Sequence, residues 1–215
     1  MDLPAFHIIA HIENDFTAKF AIPRQSGLVD SVISRIVFIP EYRNETALRG
    51  MEGYSHLWLL WVFSQAIRER WSPTVLPPRL GGKTRMGVFA TRSPFRPNPI
   101  GLSSVRLHGI DLHAPDGPVL YVAGADLMDG TPILDIKPYL AYTDSHPDAK
   151  GGFSDPVRDY ALEVQFPPVL LAQVPEHLRE SAIAILAQDP RPSYQHDPER
   201  IYCTAFSGWG FRFQL

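Results

Sequence analysis

The residues best suited to chemistry in this 215-residue sequence lie in a short stretch where Arg92, Arg96 and Asn98 alternate with prolines at 94, 97 and 99. Each proline fixes its own φ, lacks a backbone donor and restricts the residue before it to extended geometry. The stretch is therefore predicted to be a stiff loop that holds its guanidinium groups in fixed places. Such a loop suits an anionic or planar ligand, because a guanidinium is a planar fork of donors.

The distribution of charge also indicates a binding function for the part of the chain that contains this stretch. Residues 70–110 contain seven of the 20 basic residues and no acidic residue, although the net charge of the chain is −3. Residues 111–163 reverse the sign, with ten acidic residues against three basic ones. This segregation favours a local anion-binding face, for which nucleic acid is the expected large anion. The alternative is a solvated surface whose charges balance in space.

The composition is that of a globular protein, with 45% apolar and 20% charged residues, and the 21 prolines are dispersed among apolar runs. The single Cys203 allows no internal disulfide, and the eight histidines show no paired ligand spacing, so no metal site is expected. No signal peptide is recognised, and the longest apolar run, 57–63, is far shorter than the roughly 20 residues of a membrane helix. A cytoplasmic protein is therefore expected.

The hydrophobic pattern predicts a mainly β protein, either a barrel or a sandwich. About seven strands are expected, at 6–12, 32–39, 57–63, 85–91, 100–112, 119–125 and 133–137. The run at 57–63 is predicted to be buried on both faces, and 44–50 to be a short helix that Asn44 caps.

The composition changes after Phe166, and we expect a domain boundary there. Residues 1–166 would form the β domain and residues 167–215 a small C-terminal α+β domain. Within the latter, 176–188 has near-helical apolar spacing, and the segments 200–206 and 209–213 form a hairpin around Ser207-Gly208.

Seven segments resemble one family in their order and spacing. They are residues 20–25 (FAIPRQ), 55–58 (SHLW), 77–82 (PPRLGG), 87–102, 126–132 (DLMDGTP), 135–139 (DIKPY) and 187–192 (AQDPRP). Over nearly its full length the chain resembles the TrmO/TsaA-like (YaeB-like) tRNA methyltransferases. The resemblance implies a single-sheet antiparallel β-barrel and a homodimer, with S-adenosylmethionine bound at the barrel near the subunit interface. It also implies tRNA as substrate, methylated at N6 of threonylcarbamoyladenosine beside the anticodon. The glycine-rich turn of common methyltransferases is missing, so the activity is implied by the resemblance alone.

The resemblance also implies which residues bind the cofactor. Arg92 would bind its carboxylate, and Asp126 or Asp129 its ribose or its ammonium group. Leu102 would pack on the adenine, although a leucine in a strand is ordinarily a core residue. The predicted cofactor-binding residues are Pro23, Arg24, Gln25, Ser64, Gln65, Arg92, Leu102, Asp126, Leu127, Met128 and Asp129.

Methyl transfer to a nitrogen attached to a carbonyl is helped by removal of its proton, so a general base or hydrogen-bond acceptor is expected. Asp135 and Tyr139 are the candidates, and Asn98 is the candidate orienting group. The alternative for Asp135 is an ion pair with Lys137 or a turn cap.

Phosphate contacts with tRNA are expected from the basic segment and from the tail, with Phe95 or Tyr139 able to stack on a base. The candidates are Arg70, Arg79, Lys83, Arg85, Arg96, Lys137 and Arg191. Two other functions remain open at this stage, a non-catalytic RNA-binding barrel and a small-molecule hydrolase that uses Asp126, Asp129 or Asp135.

Overall fold

The computed structural model describes residues 5–81, 83–191, 195, 197 and 199–215. Its strands are β1 (Ala10–Glu13), β2 (Ile33–Phe38), β3 (His56–Val62), β4 (Thr74–Val75), β5 (Met86–Gly87), β6 (Ile100–Asp111), β7 (Val119–Ala123), β8 (Pro132–Pro138), β9 (Tyr202–Phe206) and β10 (Trp209–Phe213). Its α-helices are α1 (Ala141–Asp144), α2 (Pro168–Leu171) and α3 (Glu176–Ala187). Its 3₁₀ turns are Lys19–Ala21, Pro40–Tyr42, Glu45–Leu48, Met51–Gly53, Ser64–Ala66, Pro78–Leu80, Val88–Ala90 and Gly152–Val157.

Six strands close into one antiparallel barrel in the order β1-β2-β7-β6-β3-β8. The predicted mainly β, single-sheet antiparallel barrel is therefore confirmed, with six strands rather than about seven. The prediction of a strand over 85–91 was wrong. Only Met86 and Gly87 are paired, and their partner is β4 rather than a strand of the barrel, because the chain turns at Val88–Ala90. The first strand begins at Ala10 rather than at residue 6.

The barrel encloses one hydrophobic core, and alternation along each strand decides which side chains enter it. On β3 the side chains of Leu57, Leu59 and Trp61 are buried inside the barrel, whereas Trp58 and Leu60 are half-buried on its outer surface. The prediction that this run is buried on both faces was therefore wrong. A closed sheet has one interior, and within the described part of the chain no helix covers the outer side of β3 completely.

A second hydrophobic cluster joins the end of the chain to the segment between β1 and β2. Phe16 lies against Phe206 of the hairpin β9–β10, with their ring centroids 5.7 Å apart. Ser181 of α3 donates a hydrogen bond to Ser31 at 2.9 Å. The predicted helix and hairpin are confirmed, and Ser207 and Gly208 both adopt positive φ in the turn between the two strands.

No helix in the described part of the chain is long and apolar enough to cross a lipid bilayer.

Trp61 lies flat against the backbone of Gly101, its partner across the β3–β6 ladder. A Cβ added at Gly101 would overlap the indole ring, so no larger residue fits without displacing Trp61. The barrel core thus depends on a glycine at this inward position of β6.

We predict that Gly101→Ala lowers the free energy of unfolding by about 1–3 kcal/mol, because the methyl group overpacks the core against a rigid ring. Urea denaturation measures the change. Gly109→Ala on the same strand is the matched control, since an added Cβ there meets nothing within 4 Å. Equal midpoints for the two variants would contradict the tight packing.

Candidate cofactor site

One end of the barrel holds a chain of polar side chains that we call the Asp126 cluster. It consists of Trp61, Ser103, Asp126, Arg92 and Gln25. The indole N–H of Trp61 donates to Ser103 Oγ at 3.0 Å, and Ser103 donates to Asp126 Oδ1 at 2.5 Å. Arg92 donates through Nη1 to Gln25 Oε1 at 2.6 Å, and its positive charge acts on Asp126. Three residues that the sequence placed in the cofactor site, Gln25, Arg92 and Asp126, are thus brought together.

The backbone around Gly124 positions this cluster. β7 ends at Ala123, and Gly124 follows with a φ of 75°, a left-handed conformation that favours glycine. Gly124 accepts a hydrogen bond from the N–H of Gly27 at 2.8 Å, which joins the segment carrying Gln25 to the end of β7. The backbone of Ser26, which precedes Gly27, helps to lower the pKa of the Asp126 carboxyl.

Burial raises the pKa of Asp126 above its ordinary value of 3.8. The hydrogen bond from Ser103, the backbone of Asp126 itself, the charge of Arg92 and the backbone of Ser26 all lower this pKa, but they do not cancel the desolvation. A cation in contact with this desolvated carboxyl would favour its ionised form and would itself be bound by the negative charge. The cluster is therefore suited to a ligand that carries both a cationic group for Asp126 and an anionic group for Arg92.

The predicted stiff loop is braced internally by Arg96. Its Nη1 donates to the carbonyl of Thr91 at 2.8 Å and to that of Val88 at 3.2 Å. Since Thr91 precedes Arg92, this brace fixes the backbone from which the Arg92 side chain reaches Gln25. Asn98 is exposed further along the loop, and its backbone carbonyl accepts a hydrogen bond from the N–H of Ile100.

Leu102 lies on the opposite surface of the sheet from Ser103, because neighbouring side chains of a strand alternate. It is 55% exposed, so the core alternative for this leucine was wrong. With Trp58, Leu60, Lys137 and Asp144 it lines an open cleft of about 380 Å³, which we call the outer cleft. Within one chain the predicted cofactor residues therefore fall on two surfaces of the barrel.

Two of the predicted catalytic residues lie at the outer surface, Asp135 in β8 and Tyr139 directly after it. Asp135 is paired across the strands with Leu60, and its Oδ2 lies 2.9 Å from Lys137 Nζ, so the ion-pair alternative is observed. Tyr139 packs on Trp58, with ring centroids 5.5 Å apart, near the start of β3. Because β3 spans roughly 20 Å and Trp61 lies near its far end, Tyr139 is remote from the Asp126 cluster of the same chain.

Arg24 connects the predicted cofactor segment, residues 23–25, to the C-terminal part of the chain. Its Nη2 donates to the backbone carbonyl of Asp189 at 2.9 Å. Asp189 is 6% exposed, and its carboxylate accepts from Tyr160 at 3.0 Å and from Arg191 Nε at 2.8 Å. Pro23, next to Arg24, is buried. The conformation of this segment thus depends on residues more than 160 positions later in the sequence.

The remaining predicted cofactor residues occupy the same end of the barrel as the Asp126 cluster. Ser64 and Gln65 are exposed in the 3₁₀ turn directly after β3. Leu127 is fully buried in the core, whereas the Met128 carbonyl accepts from Thr131 within the turn. Asp129 is exposed and accepts from the N–H of Asn14 at 3.0 Å. Their contacts with a cofactor stay predictions.

The predicted RNA-binding residues differ in whether their side chains already bond to other groups of the protein. Lys83 is exposed, and Arg85 donates to Thr74 at 3.1 Å from an exposed position. Arg96 braces its own loop and Arg191 is paired with Asp189, so part of each guanidinium is already used. The side chain of Arg79 lies outside the described residues.

Sequence reasoning missed Trp61, Ser103 and Ser26. Ser103 did give a signal, because it is a polar residue at an inward position between Gly101 and Val105, and a buried hydroxyl needs a partner. Ser26 acts through its backbone, which no side-chain pattern reports. Among the described residues, no group of three His, Cys, Asp or Glu could hold a metal ion.

Comparison with known proteins assigns this chain to a family. The family model of the tRNA-methyltransferase O N-terminal domain matches residues 11–145, and that of the TrmO C-terminal domain matches residues 159–215. The chain belongs to the TrmO family. Its TrmO relatives include the tRNA (adenine(37)-N6)-methyltransferase of Escherichia coli K12, 46% identical over 200 residues, which are 90% of this chain and 85% of that protein.

A further relative and a solved structure agree with this assignment. The tRNA (adenine(37)-N6)-methyltransferase of Eikenella corrodens is 47% identical over 163 residues, which are 75% of this chain and 91% of the relative. The crystal structure of TrmO from Pseudomonas aeruginosa superposes with a TM-score of 0.79 at 34% identity, over 99% of this chain and 92% of that one. The predicted family is therefore confirmed.

The raised pKa of Asp126 predicts how stability depends on pH. Because the fold favours the protonated carboxyl, the stabilisation from protonation is complete below pH 3.8 and is lost as the pH rises through the raised pKa. Asp126→Asn cannot ionise, so the unfolding free energy of the wild type should fall relative to this variant over that interval. Denaturation at a series of pH values measures the difference.

Asp144→Asn is the matched control, because the pKa of Asp144 is shifted in the opposite direction to that of Asp126. Hydrogen bonds from the Leu140 N–H and from Trp58 lower the pKa of Asp144, so its contribution is present above pH 3.8 and is lost as the pH falls through the lowered value. A difference between wild type and Asp126→Asn that does not change with pH would contradict the desolvation of Asp126.

Proposed function

We propose that this chain transfers a methyl group from S-adenosylmethionine to N6 of adenosine 37 in tRNA. The observation that supports this most is the Asp126 cluster, a desolvated carboxylate beside a guanidinium, in a chain whose relatives are named tRNA (adenine(37)-N6)-methyltransferases. As the resemblance of its sequence motifs implies, we propose the threonylcarbamoyl form of this adenosine as the preferred substrate.

The residues present fit the cofactor. Relatives from Pseudomonas aeruginosa and Archaeoglobus fulgidus are named as an S-adenosylmethionine-dependent methyltransferase and an S-adenosyl-L-methionine-binding protein. Arg92 would bind the carboxylate of such a ligand, and Asp126 its ammonium or sulfonium charge, which would favour the ionised carboxylate. Gln25 orients Arg92 through the 2.6 Å hydrogen bond, and Leu102 offers an exposed apolar surface to the adenine.

S-adenosylmethionine supplies a methyl group on a cationic sulfur, which becomes a neutral thioether when that group leaves. N6 forms a bond to the methyl carbon as the carbon–sulfur bond breaks, and N6 gives up its proton. We propose Asp135 as the acceptor of this proton, with Tyr139 lining the same surface and Asn98 orienting the substrate. For Asp135 to act, its ion pair with Lys137 must open or Lys137 must turn to a phosphate, which both exposed side chains permit.

We propose a homodimer, because the predicted cofactor residues occupy two surfaces of one chain. In a dimer, the outer cleft of one protomer and the Asp126 cluster of its partner can contribute to one site. Trp58, Leu60 and Leu102 give the outer cleft the apolar surface that a subunit interface needs. Sedimentation equilibrium at micromolar concentration tests this, and a monomer would contradict it.

We also propose that residues 167–215 act as a separate domain that holds Arg24 through Asp189. The basic residues Arg70, Lys83, Arg85 and Arg96 would contact tRNA phosphates, so that tRNA affinity falls as the salt concentration rises.

The function is tested by transfer of radiolabelled methyl groups from S-adenosylmethionine to tRNA with and without the threonylcarbamoyl group. We expect label in the modified tRNA, at N6 of adenosine 37, and little label in tRNA that lacks this group. A non-catalytic RNA-binding barrel would bind tRNA without transferring label. A hydrolase would show neither transfer nor a rise in melting temperature with S-adenosylmethionine.

In the same assay, Asp135→Asn should lower kcat by about 10²–10⁴-fold, the usual contribution of a positioned general base. Lys137→Gln is the matched comparison, because it removes the other half of the ion pair and leaves the carboxylate in place. Near-wild-type kcat for Asp135→Asn would show that Asp135 has only the structural role.

A further inference from the structure

An exposed pair of aromatic rings lies on a part of the surface to which the proposed cofactor and catalytic residues do not belong. Trp71 and Phe89 are 52% and 71% exposed, and their ring centroids are 6.2 Å apart with the planes inclined by 31°. Neighbouring large apolar side chains at such exposure mark an interaction site rather than random surface composition. We call this pair the aromatic platform.

The backbone under the platform is held in place on both sides. β4 and β5 pair through Thr74 with Gly87 and Val75 with Met86, and the N–H of Val88 donates to the Pro73 carbonyl at 2.9 Å. Val88 is buried, which fixes the 3₁₀ turn that turns Phe89 outward. The rings therefore project from a fixed base, so that little conformational entropy is lost when a ligand binds them.

Arginine side chains lie beside the platform. The guanidinium carbon of Arg96 lies 5.7 Å from the centre of the Phe89 ring, and that of Arg68 lies 3.5 Å from the centre of the Phe95 ring. Beside Trp71 is a pocket of about 170 Å³. Its lining includes Arg68, Arg70, Trp71, Phe95 and Arg96, and Glu69 is the acidic residue among the described residues that line it.

This combination selects one class of ligand. Aromatic rings offer stacking surfaces to the face of any unstacked base, and arginines nearby stack on bases or bind phosphates. The charge of the segment agrees, since residues 70–110 contain no acidic residue. We infer that Trp71 and Phe89 stack on unpaired bases of the tRNA anticodon loop, with Arg68 and Arg70 placed for the adjoining phosphates. This inference rests on the proposed function, because it assigns the tRNA a place on this chain.

The platform is also connected to the cofactor residues through one short loop. Val88 and Thr91, whose carbonyls accept from Arg96, flank Phe89 and precede Arg92 of the Asp126 cluster. Only Ala90 and Thr91 separate Phe89 from Arg92, so a base held on Phe89 lies close to Arg92 along the chain. The platform would hold a neighbour of the target adenosine and so position the target relative to the methyl donor.

The test measures the affinity of the full-length protein for a fluorescently labelled anticodon stem-loop RNA by anisotropy at fixed salt. Trp71→Ala and Phe89→Ala should each raise Kd by about tenfold, as expected for the loss of one stacking partner. Trp71→Phe keeps a ring and should restore most of the affinity. Trp209→Ala, at an exposed position on β10, should leave Kd unchanged.

Two results would overturn the inference. The first is a wild-type Kd in both alanine variants. The second is a lower molecular mass of either variant in sedimentation, which would assign the platform to contact between copies of the chain. The rise in melting temperature with S-adenosylmethionine, measured on the same samples, should be the same as for the wild type. If the wild type itself lacks this rise, the proposed function fails, whereas the RNA affinities still test the platform.

Discussion

The packing of Trp61 against Gly101 is the constraint on which the rest of the site depends. The indole ring fills the end of the barrel only because β6 has no side chain at this position. Its N–H is thereby directed to Ser103, whose hydroxyl donates in turn to Asp126. A steric requirement of the core thus determines where the carboxylate of the proposed cofactor site lies, and burial of that carboxylate raises its pKa.

Segments from distant parts of the sequence complete the site on this base. The loop braced by Arg96 supplies Arg92, and the segment joined to Gly124 supplies Gln25. Arg24 is held from the other side by Asp189, which Tyr160 and Arg191 keep in place. Because Arg24, Gln25 and Gly27 each bond to a residue far away in the sequence, the geometry of the proposed cofactor site depends on the whole fold rather than on one motif.

Much of the fold could be predicted from the sequence, because alternation, turn residues and capping are local signals. They placed β2, β6, β8, α3 and the C-terminal hairpin, and Asn44 does cap its turn by accepting from the Thr46 N–H. Barrel closure is not a local signal, so the two surfaces of β3 and the short pairing at Met86–Gly87 were misjudged. The sequence motifs identified Arg92, Gln25 and Asp126 as a group, but not that Leu102 and Tyr139 lie on another surface. That separation follows from strand alternation and from the length of β3. Neither shows which residues lie together until the register of the strands is known.

The most direct test of the account is a calorimetric titration of S-adenosylmethionine into the wild type and into Ser103→Ala. Ser103 is buried and donates to Asp126, so its loss should weaken binding only if Asp126 must be held in place to bind the ligand. We predict a Kd at least about tenfold higher for Ser103→Ala, consistent with about 1–3 kcal/mol for an unsatisfied buried group. Ser104→Ala, the outward neighbour on β6, should bind as the wild type does. Equal Kd values for the wild type and Ser103→Ala would contradict the claim that the barrel core positions the cofactor site.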